Sequence, residues 1–340
     1  MTASQSPAEG QPPPVRPPTD SGPRPQFSVM LPTFRPDDKL RRAIESVLIQ
    51  AAGADWMEIV VVDDRSPDAD VEGLVRSVDP AGRVTIVRND HRLGLAGNWN
   101  RAISLARGRL VHLLHQDDYV LPGFYEQLGK PFEHDRVGMA FCRVRIIDGE
   151  DCLLKLTSRQ QWLAGVIAHW LPSIAQRQRV QTPSAVVARS TYETLGGYRT
   201  DLCHALDWEM WVRIAAHYAV WYEPRPLAAY RRHATNESSR LAAGGKVWPD
   251  MARAIEVNAA HLPPAIRRRI VVSSVKWYAS SALRTVERQM AAGALDAAHT
   301  TLLHAAEMVR LIPGDRVATS VLRRIARFGS RLDDVRRRAA

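Results

Sequence analysis

The sequence predicts an α/β protein: a mostly parallel sheet flanked by helices, with an all-helical C-terminal extension. Three observations carry this. Nearly continuous apolar runs recur at 27–32, 58–64, 83–89 and 109–115, and segments of helical periodicity separate them. From about Pro249 onward the pattern is helical throughout.

The first 26 residues hold eight of the 22 prolines and few apolar side chains, so burial offers little to offset the entropy of ordering them. They read as a flexible, polyproline-leaning tail, and they lack the apolar segment of a secretory leader. "FSVMLP" (27–32) reads as a buried strand and "DKLRRAIESVLIQA" (38–51) as an amphipathic helix. "EIVVVDD" (58–64) and "RVTIVRN" (83–89) follow as strands two and three. "AGNWNRAISLARG" (96–108) is a helix stopped by Gly108, and "RLVHLLH" (109–115) is strand four.

Farther on, 137–148 and 184–190 read as strands and 207–217 as a helix. "VWYEPRPLAAYRRH" (220–233) reads as two short strands broken by prolines, a mixed extension of the sheet. The uncharged run "QQWLAGVIAHWLPSIAQ", with Trp162 and Trp170, falls short of a membrane span and reads as a partly buried helix. The division expected is a tail over 1–26, a main domain over 27–248 with halves 27–130 and 131–248, and a helical region over 249–340.

The formal charge of +10 is concentrated at the C-terminal end, where residues 251–340 carry 16 Lys and Arg against 7 Asp and Glu. Such a block suits an anionic membrane surface or a solvated helical face. No nucleic-acid reading motif accompanies it. Cys142, Cys152 and Cys203 have no metal-binding spacing, and a sparse, odd count suits a reducing, cytoplasmic compartment.

Polar residues gather where the strands end: Thr33, Asp63 and Asp64, Asn89, then Asp117 and Asp118. In parallel α/β sheets that edge is where ligands bind. One Asp or Asn at a strand end is commonly a turn former or helix cap; four clusters in register argue for a site. Adjacent carboxylates need a positive partner, and Mn²⁺ or Mg²⁺ on two such groups would suit a reaction whose leaving group is a diphosphate.

The order "LPTFRP", "VVVDDRSPD", "RNDHRLGLAGNWNRAISLARG", "LLHQDDYVLP", continuing through "TPSAVVARSTYETLGGYRTD" and "LDWEMWVR" to "YRRHATNES", resembles family-2 glycosyltransferases. The resemblance implies a GT-A, Rossmann-like fold and a nucleotide-diphospho-sugar donor. It places Pro32, Thr33 and Phe34 under the nucleotide base, Asp63 or Asp64 against base or ribose, and Asn89, Gly94, Asn98 and Asn100 along the pocket wall. Gln116 and Asp117 complete the donor set, and Asp117, Asp118 and His233 would hold a divalent metal.

Asp207 matches the family's catalytic carboxylate. A carboxylate there could take the proton of an attacking acceptor hydroxyl in an inverting displacement, and the same residue could instead cap the helix after it. Arg231 and Arg232 could bind the diphosphate or stand in solvent. Three positions depart from the family pattern: His115 stands where the metal motif begins with Asp, Arg65 where Gly is common, and Leu206 where Glu is common.

The activity implied is transfer of a sugar to a glycan, lipid-linked or small-molecule acceptor in cell-surface glycan synthesis, with peripheral membrane contact through the basic helices. A nucleotidyltransferase would need a glycine-rich loop after strand one, and "LPTFRPDDK" has none. A dehydrogenase would need GxGxxG after a strand, which is absent. A catalytically silent sugar-nucleotide binder docked on membranes is the alternative from another class.

Overall fold

The computed structural model describes residues 10–19, 22–133, 136–233 and 236–339. The elements begin β1 (Phe27–Thr33), α1 (Asp38–Leu48), β2 (Met57–Asp63), α2 (Val71–Val78), β3 (Val84–Arg88), α3 (Gly94–Leu105), β4 (Leu110–Leu113), β5 (Tyr119–Val120) and α4 (Phe124–Gly129). There follow β6 (Val137–Ile147), β7 (Leu153–Leu156), β8 (Gly165–Val166), α5 (Trp170–Gln176), β9 (Ala185–Ala188), α6 (Arg189–Leu195), α7 (Leu206–His217) and β10 (Ala219–Arg231). The chain continues through α8 (Glu237–Ala243), α9 (Val247–Ala260), α10 (Pro264–Ala291), α11 (Leu295–Val309) and α12 (Arg316–Ala339).

The elements sort into two compact units. The first takes the described residues up to Ala168 together with Val180–Asp201 and His217–His233. The second takes His169–Arg179, Leu202–Ala216 and the described residues from 236 on. The helical region therefore does not begin cleanly at 249: α5 and nearly all of α7 pack with it, across a long sequence separation that periodicity does not encode.

In the first unit the sheet order is β3-β2-β1-β4-β9-β6-β10-β5, with β7 on β6 and β8 on β10. β3, β2, β1 and β4 are mutually parallel; β9 enters antiparallel between β4 and β6, and the rest of the sheet is mixed. All of β1 is buried, because Val29 and Leu31 face the core that Leu40, Ile44 and Val47 of α1 fill, alongside Ile59 and Val61 of β2. Asp37 caps α1 by accepting the Lys39 N–H at 3.0 Å. Register then places Thr33 opposite Asp63, and Asp63 opposite Arg88, so three strand ends share one line.

Two further expectations change. β10 is one strand, not two; the ladder to β6 shifts register between Glu223 and Pro226 and again before Ala228, so the prolines are absorbed in bulges. The run 160–176 is helical only in α5: Trp170 is buried, whereas Trp162 stands in solvent.

The proline-rich tail, in its described residues, is docked rather than free. The Gly197 N–H donates to the Pro13 carbonyl at 2.8 Å, Arg189 donates to the Arg16 carbonyl at 2.8 Å, and Val15 is buried. Polyproline backbone makes no internal hydrogen bonds, so its carbonyls are available to such donors. Gly197 admits this approach, since a Cβ there would run into Oδ1 of Asn100 and the Pro13 ring. Residues 1–9, 20 and 21 of the tail lie outside the described residues.

In the second unit, α10 buries Val275, Tyr278, Ala282 and Val286 at helical spacing. Leu283 and Val286 join Ala298, Leu302, Phe328 and Leu332 in a core shared with α11 and α12. α12 turns Arg323, Arg324 and Arg327 outward. Among the described residues, no helix is long and apolar enough to cross a membrane.

Candidate active site

The shared line of strand ends is built on buried carboxylates. Asp63 Oδ1 accepts from the Ser66 amide at 3.0 Å and its hydroxyl at 2.5 Å, and Oδ2 lies 3.4 Å from Arg88 Nε. Asp64 Oδ1 accepts from Asn89 Nδ2 at 3.0 Å and Leu93 N at 2.7 Å; Oδ2 accepts from Gly94 N at 2.9 Å. Asp64 therefore binds the amino end of α3, where unpaired N–H groups favour an anion. Gly94 opens that helix at φ +75°, a conformation that favours glycine.

Asn89 Nδ2 also donates to Asn98 Oδ1 at 2.9 Å, and Asn98 Nδ2 reaches the Val62 carbonyl at 3.0 Å. Asn100 exchanges two hydrogen bonds with the backbone of Tyr198, at 2.7 and 2.8 Å. The asparagines expected along a pocket wall thus tie α3 to β2, β3 and the 196–198 turn.

Pro32 and Thr33 are buried in β1, with the Thr33 hydroxyl on the Leu31 carbonyl at 3.0 Å. Phe34 is half-buried and held by Gln116, whose Oε1 accepts the Phe34 N–H at 2.8 Å while Nε2 donates to its carbonyl at 3.1 Å. The guanidinium of Arg92 lies 4.1 Å from the Phe34 ring centroid, and that of Arg35 lies 5.5 Å away.

The turn after β4 brings His115, Asp117 and Asp118 together, with ligand atoms all within 4.8 Å of one another. His115 Nδ1 is 3.3 Å from Asp118 Oδ2, and His233, just beyond β10, places Nε2 2.9 Å from Asp117 Oδ2. His115 stacks on Trp99 with centroids 4.9 Å apart. Burial pushes the Asp118 carboxyl up to about 6, reinforced by the charge of Asp117 and opposed by His115 and the Arg231 N–H. Burial also pushes Asp117 upward, but the hydrogen bond from His233 and the charges of His115 and His233 outweigh it, leaving Asp117 below the ordinary carboxylate range.

Two carboxylates and an imidazole at this spacing fit a divalent cation such as Mn²⁺ or Mg²⁺, with His233 adjacent to Asp117. His115, noted in the sequence as a departure, belongs to the cluster itself. Its nearness to the paired aspartates was the available signal.

Arg231 is not free for a diphosphate. It is buried, with its N–H on Asp118 Oδ1 at 2.8 Å, Nε on the Asp117 carbonyl at 2.9 Å and Nη2 on Asp151 Oδ1 at 2.6 Å. It fixes the acidic turn, because a buried guanidinium needs acceptors and the turn carbonyls supply them.

Asp207 belongs to the second unit. α7 begins at Leu206, two residues earlier than a cap at Asp207 requires, and Asp207 Oδ1 accepts the Trp208 N–H at 2.6 Å. The preceding loop hangs on Asp250, which accepts from Cys203 N at 2.9 Å and from His204 N and Ala205 N at 2.7 Å each. Trp208 donates to the Ile174 carbonyl at 2.7 Å and packs 5.0 Å from the Tyr278 ring. Burial raises the Tyr278 phenol pKa, and the charge of Asp207 adds to this. Glu209 is fully buried and pairs with Arg213 through two 2.9 Å bonds. Asp250 had no sequence signal, being more than 40 residues from the loop it holds.

The glycosyl transferase family 2 model matches residues 28–193. An uncharacterized protein, MT1568, of Mycobacterium tuberculosis is 32% identical over 233 residues, covering 65% of this chain and 71% of that protein. The crystal structure of Staphylococcus aureus TarS 1–349 in complex with UDP-GlcNAc superposes with a TM-score of 0.69 at 13% identity, covering 92% of each chain. The mannosyltransferase PcManGT of Pyrobaculum calidifontis, in complex with GDP-Man and Mn²⁺, superposes at 0.56 with 20% identity, covering 95% of this chain and 83% of that one. The fold is the GT-A fold of these neighbours. With the family model running from β1 into α6, and a relative matched over most of its length, the chain belongs to glycosyl transferase family 2 and is a glycosyltransferase.

Proposed function

We propose that this chain moves a sugar from a nucleotide-diphospho-sugar to an acceptor hydroxyl with inversion, in the assembly of a cell-surface glycan or glycoconjugate. The observation that carries this reading is the His115, Asp117 and Asp118 cluster, fastened by Arg231 and flanked by His233. In it, Asp117 and Asp118 would hold the cation with His115 or His233, and Phe34 and Gln116 would present the surface for the nucleotide. A bound Mn²⁺ or Mg²⁺ would offset the charge that grows on the departing diphosphate.

The acceptor oxygen forms its bond to the anomeric carbon as the bond to the diphosphate oxygen breaks. The electron pair leaves with the diphosphate, and the hydroxyl proton passes to the Asp207 carboxylate. The buried Asp250 holds the loop that leads to Asp207, which supports a fixed base. The complexes of TarS with UDP-GlcNAc and of PcManGT with GDP-Man and Mn²⁺ support a nucleotide-sugar donor and a metal as the class of ligands. We place the protein in the cytoplasm, in peripheral contact with an anionic membrane through the exposed arginines of α12.

The test is incubation with radiolabelled UDP-, GDP- and TDP-sugars with and without Mn²⁺, alongside a thermal-shift screen of the three nucleoside diphosphates. Transfer or donor hydrolysis that needs the cation and is lost in Asp117→Ala supports the reading. No turnover and no diphosphate binding overturn it.

A further inference from the structure

The segment between β6 and β8 exposes more large apolar surface than its chemistry requires. Leu153, Leu154 and Leu156 of β7, with Val166 of β8, are exposed. Trp162 and Leu163 between them are 79% and 80% exposed, close to full solvation for side chains of that size. Six large apolar groups within fourteen residues differ from the scattered single ones normal on a surface.

The segment is built, not slack. Arg143 Nε donates to the Thr157 carbonyl at 2.7 Å, and Val144 N donates to the Thr157 hydroxyl at 3.0 Å, pinning its base to β6. Gln161 Nε2 reaches the Gly165 carbonyl at 3.0 Å, closing the turn from which Trp162 and Leu163 project.

Cations surround it. Arg145, Lys155 and Arg159 are exposed, and none has a carboxylate partner among the described residues. The Arg159 guanidinium lies 4.8 Å from the Trp162 ring. Two of the three nearby acids are spent internally: Asp148 accepts the Glu150 and Cys152 amides at 2.9 Å each, and Asp151 pairs with Arg231.

We infer that this finger is a membrane anchor: Trp162, Leu163 and the β7 leucines enter the interface of an anionic bilayer while Lys155 and Arg159 meet its headgroups. Tryptophan at an interface, aliphatic side chains below it and Lys or Arg beside it form the composition of a peripheral membrane contact. Trp162 is followed by the equally exposed Leu163, an aliphatic group that a sugar platform would not need. The inference rests on the peripheral location proposed above and adds to the basic helices an apolar anchor in the first unit.

Flotation of the full chain with vesicles of phosphatidylcholine, alone and with added phosphatidylglycerol, tests it. The wild type should float with the anionic vesicles. Trp162→Ser/Leu163→Ser and Lys155→Glu/Arg159→Glu should each weaken partitioning by about ten-fold or more, while turnover of soluble donor stays at the wild-type level. Arg323→Glu/Arg327→Glu on α12 separates the two surfaces. Loss of flotation in that variant, with wild-type binding by the two finger variants, overturns the finger and keeps the helical contact. A wild type that ignores all vesicles, or a finger variant whose only change is loss of a dimer in analytical ultracentrifugation, also overturns it. Asp207→Asn should float like the wild type, so failure of the catalytic reading shows separately.

Discussion

Nε2 of His233 stands 2.9 Å from Oδ2 of Asp117, joining the residues just beyond β10 to the acidic turn after β4. This contact and the Arg231 bonds lock the same turn from the same strand end. If the cluster holds Mn²⁺, His233→Ala should weaken binding by about 10- to 100-fold and Asp117→Ala should abolish it, as titration calorimetry would measure. Equal affinity in wild type and His233→Ala would exclude the histidine from the site.

Asp207→Asn keeps the shape of the side chain and removes its basicity. Transfer should fall by about 10²- to 10⁴-fold, while calorimetric affinities for nucleoside diphosphate and Mn²⁺ stay unchanged. Undiminished transfer would assign the base elsewhere.

Asp250→Ala leaves three loop amides without their carboxylate acceptor. Charged hydrogen bonds of this kind put the loss at about 3 kcal/mol, read as a lower denaturant midpoint. Asp250→Asn retains one acceptor oxygen and should fall between the two.

His112 gives stability a pH dependence. It is buried in β4, with Nε2 3.0 Å from the Pro183 carbonyl and Nδ1 3.0 Å from the Tyr125 hydroxyl. The carbonyl can only accept, so Nε2 carries the proton and Nδ1 accepts from Tyr125. Burial lowers its pKa from 6.5 to about 3, against the pull of the Pro183 bond. Between those values the unfolded chain binds a proton that the folded chain does not. Stability therefore falls as pH drops below about 6.5, by about 1.4 kcal/mol per unit, or about 2 kcal/mol at pH 5. Asp118, whose carboxyl burial pushes up to about 6, takes up a proton over the same interval and opposes this loss, so the comparison is between proteins: urea unfolding at pH 7 and pH 5 should show wild type losing about 2 kcal/mol more than His112→Gln.

The parallel half of the sheet was legible because "FSVMLP" and "EIVVVDD" are too continuously apolar to be half-exposed, and their ends put Thr33 and Asp63 in register. The acidic cluster was legible in part, since His115, Asp117 and Asp118 lie within four residues. What escaped depends on distant donors. Asp64 meets the amino end of α3 some thirty residues on, and Arg231 reaches back more than a hundred residues to the turn it fixes. Residue type at a strand end marks a candidate; which candidates turn inward is decided by the donors that folding brings to them.

The docked proline segment bears on how far this protein can be trimmed. A fragment beginning at Phe27 would keep every strand, yet it would strip the Gly197 amide of its acceptor and Arg189 of one of its carbonyls. The Asn100 clamp beside Gly197 would then close over an unfilled groove. Recombinant versions should start upstream of Gln11, with any affinity tag placed ahead of that point.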